Sequence, residues 1–232
     1  MKLEANGISR TFYRQGRETN FFYAVEKTDF TLAEGKLTAL VGRSGSGKTT
    51  FSNMLCGLLL PTEGTVLVGG ENLCTMDDAR RSRFRNAHIG VVPQGQSALQ
   101  SLTVLENVLA PMYLYGDPAK KQDRARELLD LVGMADLAEV YAGELSGGEV
   151  RRMAIARALI MDPAIIVADE PTGDLDDETT TMVLKLFRRC ADAGASVLMV
   201  THEKEALPYA DIVYRMDRGV LSQADAGGTA VV

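Results

Sequence analysis

GRSGSGKT, residues 42–49, is the stretch around which the rest of this 232-residue chain can be organised. Gly42, Gly45 and Gly47 let the backbone curl until successive N–H groups point inward, with Arg43, Ser44 and Ser46 between them. Lys48 stands where an ammonium reaches β- and γ-phosphate oxygens, Thr49 where a hydroxyl ligates magnesium, and Thr50 adjoins them in the first helical turn. A flexible Gly/Ser loop would share the composition but not the setting. Residues 36–41 read as a short buried strand running into the loop, and residues 47–56 as a helix leaving it. The start of that helix adds a partial positive charge suited to phosphate oxygens.

Outward from the loop, composition bounds the answer. Hydrophobic residues make up 46% and charged residues 24%, and the net charge is -6. That is an ordinary globular balance, and its acidity argues against general attraction to nucleic acid or anionic lipid, so no nucleic-acid partner is expected. Cys56, Cys74 and Cys190 are odd in number and widely spaced, which speaks against a disulfide framework or a zinc site and fits a reducing, cytoplasmic setting. The opening MKLEANGISRTFYRQG lacks the apolar centre of a signal peptide, and no run of 18 apolar residues occurs. The chain is therefore expected to be soluble and to serve a membrane only through a partner. It holds no internal repeat, so any dimer needs a second chain.

Strands are expected at 65–68, with Gly69 and Gly70 as the turn, and at 88–92, stopped by Pro93. Between about 101 and 160 the pattern changes: TVLENVLAPMYLY, RARELLDLVGM and EVRRMAIARALI have helical spacing and almost no strand signal. Alternation resumes at 165–168, 177–193, 196–200, 203–209 and 211–216, as a largely parallel α/β sheet covered by helices requires. The expected organisation is one domain over 1–223, with a core of 1–94 and 161–223, a helical subdomain over about 95–160, and a flexible tail at 224–232. Arg80, Arg81, Arg83 and Arg85 read as a solvated helical face.

Two further motifs carry chemistry. IIVADE, 165–170, ends an apolar strand in two carboxylates that alternate in direction, so Asp169 and Glu170 cannot share one role. Asp169 would face magnesium, and Glu170 the γ-phosphate, where it could orient or deprotonate the attacking water. LSGGE, 145–149, is a capping box: Ser146 caps a helix and Glu149 reaches back to it. Its consecutive Gly147 and Gly148 exceed what a cap needs and suggest that something approaches closely.

LSGGE lying between the phosphate loop and IIVADEPTGDLD resembles the nucleotide-binding subunits of the ATP-binding-cassette (ABC) family, over residues 12 to about 221. The resemblance implies a P-loop NTPase core with a largely parallel sheet, an N-terminal antiparallel β subdomain and an inserted helical subdomain. It implies ATP and Mg2+, and two cassettes head to tail, each ATP lying between the P-loop of one and the signature motif of the other. Ser146, Gly147, Gly148 and Glu149 would then meet a γ-phosphate held by a second copy; Glu149 departs from the commonest family residue, Gln. Gln94, in VVPQG, matches the loop that senses magnesium and γ-phosphate. Asp176 matches the aspartate of the loop crossing the dimer interface and also suits a helix N-cap. His202, in VTHE, matches the histidine that bonds the γ-phosphate. Phe12, with Tyr13 close behind, matches the aromatic that stacks on adenine, and core packing of Phe12 is the alternative.

EPTGDLD, 170–176, looks like the EPTGNLD of a subgroup that drives lipoprotein release, macrolide or peptide efflux, or cell-division signalling. The resemblance implies an ATPase subunit held at the cytoplasmic face of the cell membrane by a permease, with residues 102–115 either lining the groove for it or buried in the subdomain. The alternatives are a regulatory cassette of the cell-division type and a soluble DNA-maintenance ATPase.

Overall fold

The computed structural model describes residues 1–13, 21–95 and 97–224. The tail expected at 224–232 therefore lies, past Ala224, outside the described residues. Two long strands, β1 (Leu3–Tyr13) and β2 (Phe21–Leu32), come first. β3 (Leu37–Val41) runs into the phosphate loop and α1 (Lys48–Leu55) leaves it. β4 (Glu63–Val68), β5 (Glu71–Asn72), α2 (Asp78–His88) and β6 (Ile89–Val92) follow. Next are α3 (Val104–Tyr115), α4 (Gln122–Leu131) and α5 (Gly147–Leu159), and the chain returns through β7 (Ile165–Asp169), α6 (Asp177–Asp192), β8 (Ser196–Thr201), β9 (Ile212–Asp217) and β10 (Val220–Gln223).

The strands form two sheets. One is antiparallel in the order β2-β1-β4-β5; the other has the order β10-β9-β3-β8-β7-β6 and is parallel except at the β9/β10 hairpin. β7 and β8 are buried along their whole length, as strands covered on both faces must be. Their alternate residues enter two cores. Val167, Leu198 and Val200 join Phe51, Met54 and the antiparallel sheet on one side, whereas Ile166, Ala168, Val197 and Met199 join α3, α4, α5 and α6 on the other. Phe51 and Phe187, fully buried on opposite sides, each contribute about 1.5–3 kcal/mol.

Side-chain caps set the starts of α2, α3, α5 and α6. Thr103 and Glu106 form a reciprocal box at α3, and Ser146 and Glu149 another at α5. Arg152 of α5 donates to the carbonyls of Val132 and Gly133 at the end of α4, at 3.0 and 2.8 Å, fixing the angle between the two helices. Asn107, fully buried, holds Leu99 through both its N–H and its carbonyl, which anchors the segment after Gln94.

Three expectations change. The strand expected at 88–92 begins at Ile89; His88 instead closes α2, its ring 4.5 Å from that of Phe84 one turn earlier. Two arginines of α2 are anchored rather than simply solvated: Arg81, 12% exposed, pairs with Asp78 at 3.0 Å, and Arg85 donates to the Gly57 carbonyl at 3.2 Å, whereas Arg80, paired with Glu71 at 2.9 Å, and Arg83 stay on the exposed face. Residues 203–209 contain only a tight 3-10 segment, Lys204–Tyr209, because Pro208 inside it has no N–H to extend a helix. Among the described residues no helix is long and apolar enough to cross a membrane.

Candidate functional site

The loop that organises the sequence is wedged between two hairpins. Gly47 caps α1 with φ 109, and a Cβ there would lie 2.2 Å from the Ala24 carbonyl oxygen of β2, so only glycine fits. The Ser46 carbonyl accepts from Gly219 at 2.8 Å, in the β9/β10 turn. Lys48 Nζ is drawn inward, donating to the carbonyls of Gly42 and Arg43 at 2.7 and 3.1 Å. The Ser46 hydroxyl is buried with no hydrogen-bond partner among the described residues.

Beneath Lys48, Thr49 Oγ1 donates to Gln94 Oε1 at 3.2 Å. Asp169, at the end of β7, is 5% exposed, and neither carboxylate oxygen has a hydrogen-bond partner among the described residues. Burial pushes this carboxyl above its ordinary range and the Glu170 charge adds to the effect, while the Thr49 hydroxyl, Lys48 and Arg151 oppose it. Thr49 lies close enough to stabilise the charge, but its single proton is directed to Gln94.

Glu170 leaves β7 in a left-handed conformation, φ 51, with its N–H donating to the Val200 carbonyl at 2.8 Å. The different surroundings of Asp169 and Glu170 thus come from this turn and not from strand alternation, since β7 ends at Asp169. Glu170 Oε2 is 2.8 Å from His202 Nδ1; the histidine side chain is 68% exposed and the glutamate 13%. A hydrogen bond from Thr172 to Glu203 ties the two turns together.

Phe12, the loop from Ser44 to Thr50, Gln94, Glu170 and His202 line one cleft of about 840 Å³. Gly42 and Arg43 line an adjoining cleft, which His202 also borders. Phe12 stacks on Phe22, its cross-strand partner, at 6.0 Å, with the Arg10 guanidinium 4.8 Å from its ring centre. Tyr13 is 82% exposed and does not line the cleft.

Ser146, Gly147, Gly148, Glu149 and Asp176 do not line the cleft that holds their own chain's loop. Glu149 Oε2 accepts from the Ser146 N–H at 2.8 Å and from its hydroxyl at 2.7 Å, and these bonds hold the Glu149 carboxyl below its ordinary range. The charge of Glu149 is therefore directed back into the cap. A Cβ on Gly148 would lie 3.3 Å from Leu175 Cδ2 and 3.5 Å from the Asp174 carbonyl, so one close approach is supplied by the chain's own turn after β7. Asp176 caps α6, accepting from Thr179 N–H at 2.8 Å and from its hydroxyl at 2.9 Å, which lowers its pKa.

The cleft also contains Phe22, Tyr23, Arg151, Asp174 and Arg218, which the sequence reading passes over. The β1/β2 pairing would have led from Phe12 to Phe22 had the hairpin been legible. Arg151 gives no local signal, because its partner is the backbone carbonyl of Glu170, 19 positions later.

Residues 25–173 match the ABC transporter family. The chain is 40% identical, over 95% of its own length and 93% of the relative's, to the lipoprotein-releasing system ATP-binding protein LolD of Chromohalobacter salexigens. It is 36% identical to the ABC transporter ATP-binding protein YtrE of Bacillus subtilis, over 92% and 93% of the two chains. A dimeric structure of the ATP-binding cassette MJ0796, in a post-hydrolysis state bound to ADP and Pi, superposes with a TM-score of 0.88 at 30% identity, covering 95% of this chain and 98% of that one. A family match over most of the sequence and relatives alike over nearly all of it agree with the fold and the cleft: this chain belongs to the ABC transporter family.

Proposed function

We propose that this chain is the ATP-hydrolysing subunit of a membrane transporter of the export or lipoprotein-release type, acting at the cytoplasmic face through an integral-membrane permease. The observation that carries the reading is the Glu170–His202 contact at a cleft that also contains the phosphate loop. The names of similar proteins support the transporter class, and EPTGDLD supports the subgroup. Residues 1–223 form the nucleotide-binding domain in this reading, with about 95–160 as its helical part.

Gly42 to Thr50 cradle the phosphates, and Phe12 stacks on adenine with Phe22 behind it. Lys48 already spends two of its three protons on loop carbonyls, which holds its charge at the mouth of the nest. Mg2+ suits the adjacent donors: a hydroxyl, an amide oxygen and the unpartnered Asp169 carboxylate form the hard oxygen set that this ion takes together with phosphates. When bound it would offset phosphate charge. Glu170 accepts the proton of the attacking water as its oxygen bonds to the γ-phosphorus, and the terminal P–O bond to ADP breaks. His202 orients Glu170 and hydrogen-bonds the γ-phosphate.

The start of α5 adds no phosphate contact to its own chain's cleft, because Ser146, Gly147, Gly148 and Glu149 do not line it. In a head-to-tail pair that helix start would face the partner's γ-phosphate, with Asp176 near the crossing point. The test is Ser146→Arg in the complex solubilised with its permease. We expect nucleotide binding to persist and hydrolysis to fall to background; wild-type turnover would remove the shared-site reading. Recovery of the chain with DNA and without any membrane protein would remove the transporter reading and favour the maintenance ATPase.

A further inference from the structure

Arg151 lines the cleft, yet none of the steps above uses it. It stands on α5 five positions after Ser146, about 7.5 Å along the helix axis. Its side chain is only 12% exposed and crosses to the turn after β7, where Nη1 donates to the Glu170 carbonyl and Nη2 lies 3.8 Å from Asp174 Oδ2. Both residues it reaches have left-handed backbones, φ 51 at Glu170 and 66 at Asp174. Residues bearing a Cβ keep that conformation only where their surroundings over-determine it. Gly173, between them, donates to the same Glu170 carbonyl at 3.3 Å, so that one oxygen accepts from both the turn and α5.

We propose that Arg151 is a positioning residue for hydrolysis: from the helix opened by Ser146 it pins the left-handed Glu170 backbone, keeping the carboxylate against His202. The proposal rests on Glu170 being the general base. The lever is the peptide after Glu170. If its carbonyl loses the guanidinium, the turn is no longer held to α5, and a rotation about the Glu170 N–Cα bond that takes φ out of the left-handed region swings the Cα–Cβ bond with it. The carboxylate then leaves the position 2.8 Å from His202 Nδ1. Arginine suits the task because its planar fork can face a carbonyl and a carboxylate together, which the point charge of lysine cannot. The helix whose start would touch the partner's nucleotide also fixes the base of its own chain's site, so α5 links the two sites mechanically.

The experiment compares Arg151→Met, which keeps the stem and loses every donor, with Arg151→Lys, which keeps one. In steady-state hydrolysis we expect R151M to lower kcat roughly 10- to 100-fold, with the KM for ATP and the affinity for a fluorescent ATP analogue within about twofold of wild type. R151K should recover part of the loss. Thermal midpoints of both variants report on folding. In an E170Q background, R151M should leave ATP-dependent dimerisation unchanged, because the base it positions is already absent. Wild-type kcat in R151M, a parallel loss of nucleotide binding, or failure of the double variant to dimerise would overturn the proposal. Wild-type turnover in E170Q alone would remove the base assignment itself, whereas an inactive E170Q beside a fully active R151M removes only the role of Arg151.

Discussion

His202 Nδ1 and Glu170 Oε2 lie 2.8 Å apart although the two residues are 32 positions apart in sequence, and both sit just past the ends of neighbouring parallel strands. The Thr172–Glu203 hydrogen bond and the Glu203 N–H to Thr201 hydroxyl bond at 3.0 Å brace this pair from both turns. His202→Ala leaves that brace intact and removes the ring that orients Glu170 and bonds the γ-phosphate. We expect kcat to fall about 100-fold while ATP affinity, which loses one γ-phosphate contact, falls only several-fold, read by steady-state hydrolysis beside equilibrium binding of a fluorescent analogue.

Asp169 has the opposite problem, a buried carboxylate whose oxygens have no hydrogen-bond partner among the described residues. Its carboxyl is raised above the ordinary 3.8, so the folded chain keeps a proton that the unfolded chain has already released. Folding therefore loses stability as pH rises from that ordinary value through the raised one, and the loss is complete above it. At neutral pH without nucleotide, Asp169→Asn should raise stability by about 1–3 kcal/mol. The same change should abolish the extra thermal stabilisation that Mg2+ adds to ATP. Melting curves with ATP alone and with MgATP check both halves, and a destabilised Asn variant would count against the orphaned charge.

Glu149 spends its charge on the α5 cap, and its lowered pKa means that the cap's contribution is present above the ordinary 4.5 and fades as pH falls through the lower folded value. Glu149→Ala should cost about 0.5–1 kcal/mol, and Glu149→Gln, which keeps an acceptor but loses the charge, a smaller part of it. Because Gln removes a negative charge beside the expected partner phosphate, E149Q should also tighten ATP-dependent dimerisation several-fold at low salt. Chemical denaturation and sedimentation at two salt concentrations separate the two effects.

Gly47→Ala is a test of the loop's shape. The added Cβ would collide with the Ala24 carbonyl at 2.2 Å in a backbone conformation, φ 109, that alanine avoids. We expect loss of nucleotide binding together with a lower melting temperature. Gly45→Ala has open space around its Cβ but the same kind of positive φ, 75, and should do less harm.

The parallel sheet was legible because its strands announce themselves: IIVAD and SVLMVT are continuous apolar runs, as burial on both faces demands. The phosphate loop was legible because its chemistry is local, eight consecutive residues that need each other's spacing. β1 and β2 were not read from pattern, and came only with the family resemblance. Their pairing is interrupted by repeated register shifts, and β2 opens on three consecutive exposed aromatics, Phe21, Phe22 and Tyr23, so clean alternation is absent. Arg151 was invisible for another reason, since no side-chain pattern encodes a bond to a distant carbonyl. The turn at Glu170 was likewise hidden, because a left-handed glutamate looks like any other in the sequence.

If two chains share each nucleotide, sedimentation equilibrium of Glu170→Gln will show the pair. With ATP, the glutamine variant should bind nucleotide, turn it over at least about 100-fold more slowly than wild type and sediment as a dimer; with ADP it should sediment as a monomer. A variant that binds ATP tightly and remains monomeric, or that hydrolyses ATP at the wild-type rate, would contradict it.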